Sequence, residues 1–164
     1  MRELDEKVLR LMRTRGHSAG VERAAKRLGK AGNNGAIWVV LNLVVLAATD
    51  SNGEAWFICA LLGPVAIGLN YAVKLVVKRP RPVLEGLPPL GGAPSSLSFP
   101  SAHATSSFAV ATAMTRVDPL GALAFVLAFA LALGRPYLGM HYPSDVLAGA
   151  LLGVALGLIV PLSL

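Results

Sequence analysis

The sequence predicts an all-α membrane protein, a polytopic helix bundle of about five transmembrane helices preceded by a basic amphipathic N-terminal segment. Three observations carry this. Hydrophobic residues make up 54% of the 164, and the 17 glycines add about a tenth more, against roughly 45–50% for globular chains on the same count. Charged residues are only 15%. The apolar residues also fall in five stretches rather than evenly along the chain. A soluble domain of this size cannot hide so much apolar surface. That excludes an ordinary cytosolic enzyme and a disordered chain, and the single cysteine, Cys59, excludes a disulfide-stapled domain.

Residues 1–35 hold nine of the fifteen Lys/Arg and four of the nine acids, a surplus of +5. Leu4, Val8, Leu11 and Met12 recur at helical spacing. Gly16 breaks the pattern, Ser18 can cap a second helix, and Val21, Ala24, Ala25 and Leu28 repeat it. There is no uninterrupted apolar core, so this is not a signal peptide. The expectation is a basic segment lying on the membrane surface and touching anionic headgroups rather than nucleic acid. A helical extension packed on a partner is the alternative.

The catalytic unit is expected over 36–164. Its first stretch, 36–48, is short for a span and carries Asn42, so it must borrow from 31–35 or sit tilted and shielded. Residues 55–73 make a full-length span opened by Trp56. Residues 101–117 are rich in Ser, Thr and Ala, which suits a helix buried among others, and 119–133 are strongly apolar. Residues 146–164 carry Gly149, Gly153 and Gly157 four apart, for close helix contact. The connection 83–99, rich in Pro and Gly, is a candidate lid or lipid portal, or an inert linker. If all five stretches span, the arm shares a face with the 74–103 and 134–145 loops. The positive-inside rule then makes that face cytoplasmic.

Three clusters on this face carry the chemistry. Lys74, Lys78, Arg79 and Arg81 put four cations in eight residues, which suits phosphate or a positive-inside anchor. Pro100-Ser101-Ala102-His103 opens a helix, whose free N–H groups and dipole favour an anion, with Ser101 as a donor. In the third, Arg135 precedes His141 and Asp145, which stand four apart, so that Asp145 can orient the ring. A capped helix with an incidental His, or a structural His–Asp pair, would look the same.

Lys74…Arg81-Pro82, Pro100-Ser101-Ala102-His103 and Gly134-Arg135…His141…Asp145 together resemble the three motifs of the type 2 phosphatidic acid phosphatase (PAP2) family, over about 55–164. Two positions depart from the pattern: Ala102 stands for the usual glycine and Gly134 for the usual serine, which puts a strained backbone and a lost hydroxyl donor in question. The resemblance implies a metal-independent lipid phosphatase with no cofactor. It makes His141 the nucleophile that becomes phosphohistidine, Asp145 its orienting carboxylate and His103 the general acid. Lys74, Arg81, Ser101, Ala102 and Arg135 would hold the phosphoryl oxygens. The sequence agrees in offering no carboxylate cluster for Mg²⁺.

The implied substrate is a phosphorylated lipid. Likeness to actinobacterial members puts decaprenylphosphoryl-5-phosphoribose first, a lipid of cell-wall biosynthesis. Polyprenyl diphosphates and phosphatidylglycerol phosphate are the alternatives. Vanadium haloperoxidases share the motifs but are large and soluble, and a non-catalytic lipid-phosphate-binding module would not need both histidines and Asp145. A homo-oligomer is left open by the sequence.

Overall fold

A computed structural model describes residues 2–91 and 97–162, which leaves part of the 83–99 connection and the last two residues of the final apolar stretch outside the described residues. Seven α-helices follow one another: α1 Arg2–Thr14, α2 Ala19–Ala31, α3 Ala36–Ala48, α4 Gly53–Val77, α5 Ala102–Val117, α6 Ala124–Tyr137 and α7 Pro143–Ile159. Short 3-10 turns, Asn33–Gly35 and Pro119–Leu123, precede α3 and α6. No strand occurs among the described residues.

The bundle is built around α5, in which every residue from Ala104 to Met114 is buried. It packs against α4, α6 and α7. Small side chains permit this, because α7 lays its glycines directly on the α5 backbone. A Cβ on Gly149, Gly153 or Gly157 would stand 2.6, 2.4 or 2.5 Å from the carbonyl oxygens of Ser101, Thr105 and Ala109. Most polar side chains inside this apolar body bond locally, although the amide oxygens of Asn42 and Asn70 and the Thr112 hydroxyl find no partner among the described residues. Trp38 donates to Ser107 at 3.0 Å, Asn42 donates to the Trp38 carbonyl at 2.8 Å, and Asn70 donates to Thr105 at 2.9 Å. At the end of the bundle away from Lys74 and His141, Arg116 donates to the last carbonyls of α7, Gly157 and Val160, at 2.8 Å each.

Among the described residues two segments are long and apolar enough to cross a membrane, Gly53–Val77 and Pro119–Tyr137, and α7 is a shorter apolar helix. The α2 helix and the segment Asn33–Ala48 qualify only as a pair, bent by 56°. Asn34 and Gly35 take the left-handed conformation at that bend. Gly35 there lies against the Gly63–Pro64 backbone, halfway along α4. The first apolar stretch is therefore a half-length helix, and α2 turns away from it across the end of the bundle.

The N-terminal helices sit on that end. Helix α1 turns inward not the Leu4–Val8–Leu11 stripe but Asp5, Leu9 and Arg13, all buried. Leu9 packs with Leu84 and Tyr142, and Arg13 donates to the Pro88 carbonyl at 2.6 Å. Leu4 and Leu11 remain exposed. Ser18 caps α2 by accepting from the Val21 N–H, and His17 stacks on Tyr137 of α6 with ring centroids 4.0 Å apart.

Candidate active site

The three clusters meet at the end of the bundle covered by α1 and α2. Helix α4 delivers Lys74 in its last turn, α5 delivers Ala102 and His103 in its first, α6 delivers Arg135, and the α6–α7 turn delivers His141. With Arg81 from the loop after α4, these six line one cavity of about 430 Å³. Asp145 stands behind His141, fully buried. Ser101 is also fully buried and its hydroxyl has no partner among the described residues, but it is not part of the cavity wall.

His141 is held between a cation and a carboxylate. Its Nε2 lies 3.2 Å from Arg81 Nη1, and the same guanidinium nitrogen donates to the Met140 carbonyl at 2.6 Å. Its Nδ1 faces Asp145 Oδ2 at 3.5 Å, an ion-pair separation wider than a hydrogen bond. Oδ2 is occupied already, accepting from the Tyr142 N–H at 2.8 Å and from the Ser98 hydroxyl. Burial, with Arg81 and Lys74 nearby, pushes the imidazole down to about 4, against the opposing pull of Asp145. The ring is therefore neutral at pH 7. Arg81 opposite Nε2 and Asp145 opposite Nδ1 favour the tautomer with its proton on Nδ1 and its lone pair on the cavity side.

His103 has the other tautomer. Its Nε2 is 2.9 Å from the Gly29 carbonyl of α2, so that nitrogen carries the proton and donates. Lys74 donates to the Leu97 and Ser98 carbonyls at 2.6 and 3.2 Å, which ties the segment before α5 to the end of α4. Arg135 is 5% exposed, with Nε unpartnered and its guanidinium packed on Gly29. Basic side chains from all three clusters thus line one cavity, an arrangement suited to a phosphoryl group.

The two departures from the family pattern have structural answers. Ala102 is the first residue of α5 and is not among the positive-φ residues, so it carries no strain. Gly134 lines an apolar groove between α2 and α6, where its Cβ would meet Ala25 at 3.9 Å, and is not part of the polar cavity.

Sequence reasoning missed two residues. Arg79 donates to Asp145 Oδ1 at 2.7 Å, to Ser144 Oγ at 2.7 Å and to Asp5 Oδ2 at 2.8 Å, and lies 4.1 Å over the Tyr142 ring. Asp5 in turn accepts from the Ser144 N–H at 3.0 Å and from its hydroxyl at 2.5 Å. Burial would raise the Asp5 carboxyl, but the bonds from Arg79 and Ser144 outweigh it and hold the group below the usual carboxylate range. Arg79 was visible as a cation in the first cluster. The only signal for Asp5 was an acid on the helix stripe shared with Leu9 and Arg13.

The family model described as the PAP2 superfamily matches residues 54–164. A decaprenylphosphoryl-5-phosphoribose phosphatase of Mycobacterium tuberculosis is 38% identical over 141 residues, covering 86% of this chain and 79% of that protein. The solved structure of Aquifex aeolicus LpxE superposes with a TM-score of 0.77 at 25% identity, over 93% of this chain and 92% of that one. A transmembrane PAP2-type phosphatidylglycerolphosphate phosphatase from Bacillus subtilis gives 0.75 at 23% identity, over 96% and 83%, and shares the fold.

Proposed function

The chain belongs to the PAP2 superfamily and is a membrane lipid phosphatase; from that premise we propose that its substrate is a polyprenyl-linked sugar phosphate, decaprenylphosphoryl-5-phosphoribose first, cleaved through a phosphohistidine. The similarity to the mycobacterial enzyme over most of both chains supports the substrate. The observation that carries the chemistry is the neutral, buried His141 with Nε2 at a cavity walled by Lys74, Arg81 and Arg135.

In this reading Nε2 of His141 attacks phosphorus, forming the N–P bond as the P–O bond to the ribose breaks. The Nδ1 proton is held by Asp145 as charge develops on the ring, and the 3.5 Å contact tightens in the loaded enzyme. His103, which takes up a second proton as the dianionic phosphate binds, gives its Nε2 proton to the departing oxygen in place of the Gly29 carbonyl and is left neutral. A water deprotonated by His103 then attacks the phosphohistidine and releases phosphate. Lys74, Arg81, Arg135 and the N–H groups at the start of α5, near Ser101 and Ala102, stabilise the equatorial oxygens.

Five membrane crossings complete the reading: α3 with its bend, α4, α5, α6 with its leading turn, and α7. Residues 1–35 lie as a surface segment over the 36–164 catalytic unit, with Leu4, Leu11 and Val21 turned outward toward lipid and Lys7, Arg10, Arg15 and Arg23 beside anionic headgroups. The arm and both basic loops share one end of the bundle, and Arg116 stands at the other, so the site faces the cytoplasm.

The test is phosphate release by the purified protein in detergent with EDTA present. Decaprenylphosphoryl-5-phosphoribose should be hydrolysed faster than decaprenyl diphosphate or phosphatidylglycerol phosphate. His141→Ala should abolish turnover, and preference for either rival lipid would overturn the substrate.

A further inference from the structure

Helix α2 was expected to turn its basic face to lipid headgroups, but part of that face looks into the active-site cavity. Lys26, Gly29 and Lys30 recur at i, i+3 and i+4 on one face of α2, and they line the cavity together with Asn33 and Asn34 of the turn that follows. The glycines on this face are its points of contact. A Cβ on Gly29 would fall 1.9 Å from Arg135 Nη2, and one on Gly32 would fall 2.9 Å from His103 Cδ2. The lysines and asparagines line the same cavity as His103 and His141. The opposite face, with Ala24, Ala25 and Leu28, is apolar and lines the groove against α6.

This wall is not needed by one phosphoryl group. Lys74, Arg81 and Arg135 already supply three cations, and at about 430 Å³ the cavity is of the size that encloses a whole small polar ligand. Lys26 and Lys30 stand at its exposed edge, and their two charges go unused by a single phosphoryl group already met by three cations, but match an occupant that carries a second anionic group. Lys26 is partly neutralised by Glu22, one turn earlier at 2.5 Å. Lys30 has no acidic partner among the described residues.

We propose that Lys30, flanked by Lys26, Asn33 and Asn34, forms a second anion subsite that holds the phosphodiester and hydroxyls of a substrate whose scissile phosphate sits at His141. The ligand class is a sugar carrying a terminal phosphomonoester and a second, ester-linked phosphate. This rests on the phosphatase reading above and names the part of the substrate that α2 recognises. The lysines act as solvated point charges and the asparagine amides can bond ribose hydroxyls, so discrimination comes from the second phosphate first.

The experiment measures kcat/KM of the full-length protein in detergent for two short-chain probes, farnesylphosphoryl-5-phosphoribose and farnesyl phosphate, and follows their ratio. In Lys26→Ala/Lys30→Ala the ratio should fall about tenfold, and Lys30→Arg should keep it. Arg23→Ala removes one positive charge from α2 outside the cavity and should leave the ratio as in wild type. A ratio unchanged in the double variant, or lowered as much by Arg23→Ala, overturns the subsite. A wild-type ratio below one that the double variant lowers further would sink the phosphoribose substrate and keep the subsite, so the two readings fail separately.

Discussion

Asp5→Ala should cripple turnover although Asp5 lies outside the cavity that contains the histidines. The carboxylate accepts three hydrogen bonds, from Arg79 Nη2 at 2.8 Å, Ser144 Oγ at 2.5 Å and Ser144 N–H at 3.0 Å. Its side chain is 7% exposed and that of Arg79 is 23% exposed, so the pair is largely but not wholly withdrawn from water. Removing one partner of a buried pair costs roughly 3–5 kcal/mol. The partial solvation of Arg79 places this one near the lower end, about 3 kcal/mol. The change leaves Arg79 with only Ser144 and Asp145 as polar partners, and the start of α7 loses its tether to α1. Asp145 keeps its bonds from Tyr142 and Ser98, so the orienting carboxylate is loosened rather than lost. Loss of alignment on this scale lowers kcat by roughly ten- to a hundredfold, and KM should stay within about threefold because the phosphate-binding side chains are untouched. Asp5→Asn, which retains the acceptor for the Ser144 N–H, should fall between. Steady-state kinetics in detergent, with thermal unfolding in parallel, give the answer. A folded Asp5→Ala enzyme with wild-type kcat, or one in which KM alone rises, would refute the argument that α1 positions the site. The depressed Asp5 carboxyl adds a sign. Its contribution is present above the ordinary carboxylate pKa and is lost as pH falls through the lower folded value.

Four further outcomes follow from the geometry. The His141 ring, pushed down to about 4, should show no titration between pH 8 and 5 in ¹³C-histidine NMR of the free enzyme, and a midpoint near 6.5 would contradict its burial between Arg81 and Asp145. Gly153→Ala places a methyl 2.4 Å from the Thr105 carbonyl and should destabilise by about 1–3 kcal/mol. Gly20→Ala, with nothing within 4 Å, should be neutral or stabilising in the same melt. Gly29→Ala meets only the movable end of Arg135, so unfolding should change little while kcat/KM drops tenfold or more; a normal kcat/KM would show that α2 does not seat on the phosphate site. On a Cys59→Ala background, Ser51→Cys should label in intact cells with an impermeant thiol reagent and Ser18→Cys should not, and the reverse pattern would turn the active site outward.

How much of this was legible beforehand can be read from particular residues. The three basic and histidine clusters were, because each is a short motif at a helix end. Lys74 closes α4, His103 opens α5 and Asp145 opens α7, and a helix end fixes where such side chains project. The glycine spacing of α7 likewise announced a close helix contact, and the structure identifies α5 as its partner. The amphipathic arm was legible as helix and break. Its docked face was not, since Leu4 and Leu11 carry the apolar pattern and yet stay exposed while Asp5 and Arg13 are buried.

The sequence by itself determined the class, the composition that requires a membrane, and the three clusters that the fold brings to one cavity, because each depends on residue type and short spacing. Only the tertiary structure decided that the arm completes the site. The Asp5–Arg79 pair joins positions 74 residues apart, and the His103–Gly29 bond joins another two at the same separation. A buried charge is tolerated only where a partner neutralises it. No local pattern in the chain encodes which partner, from which helix, that will be.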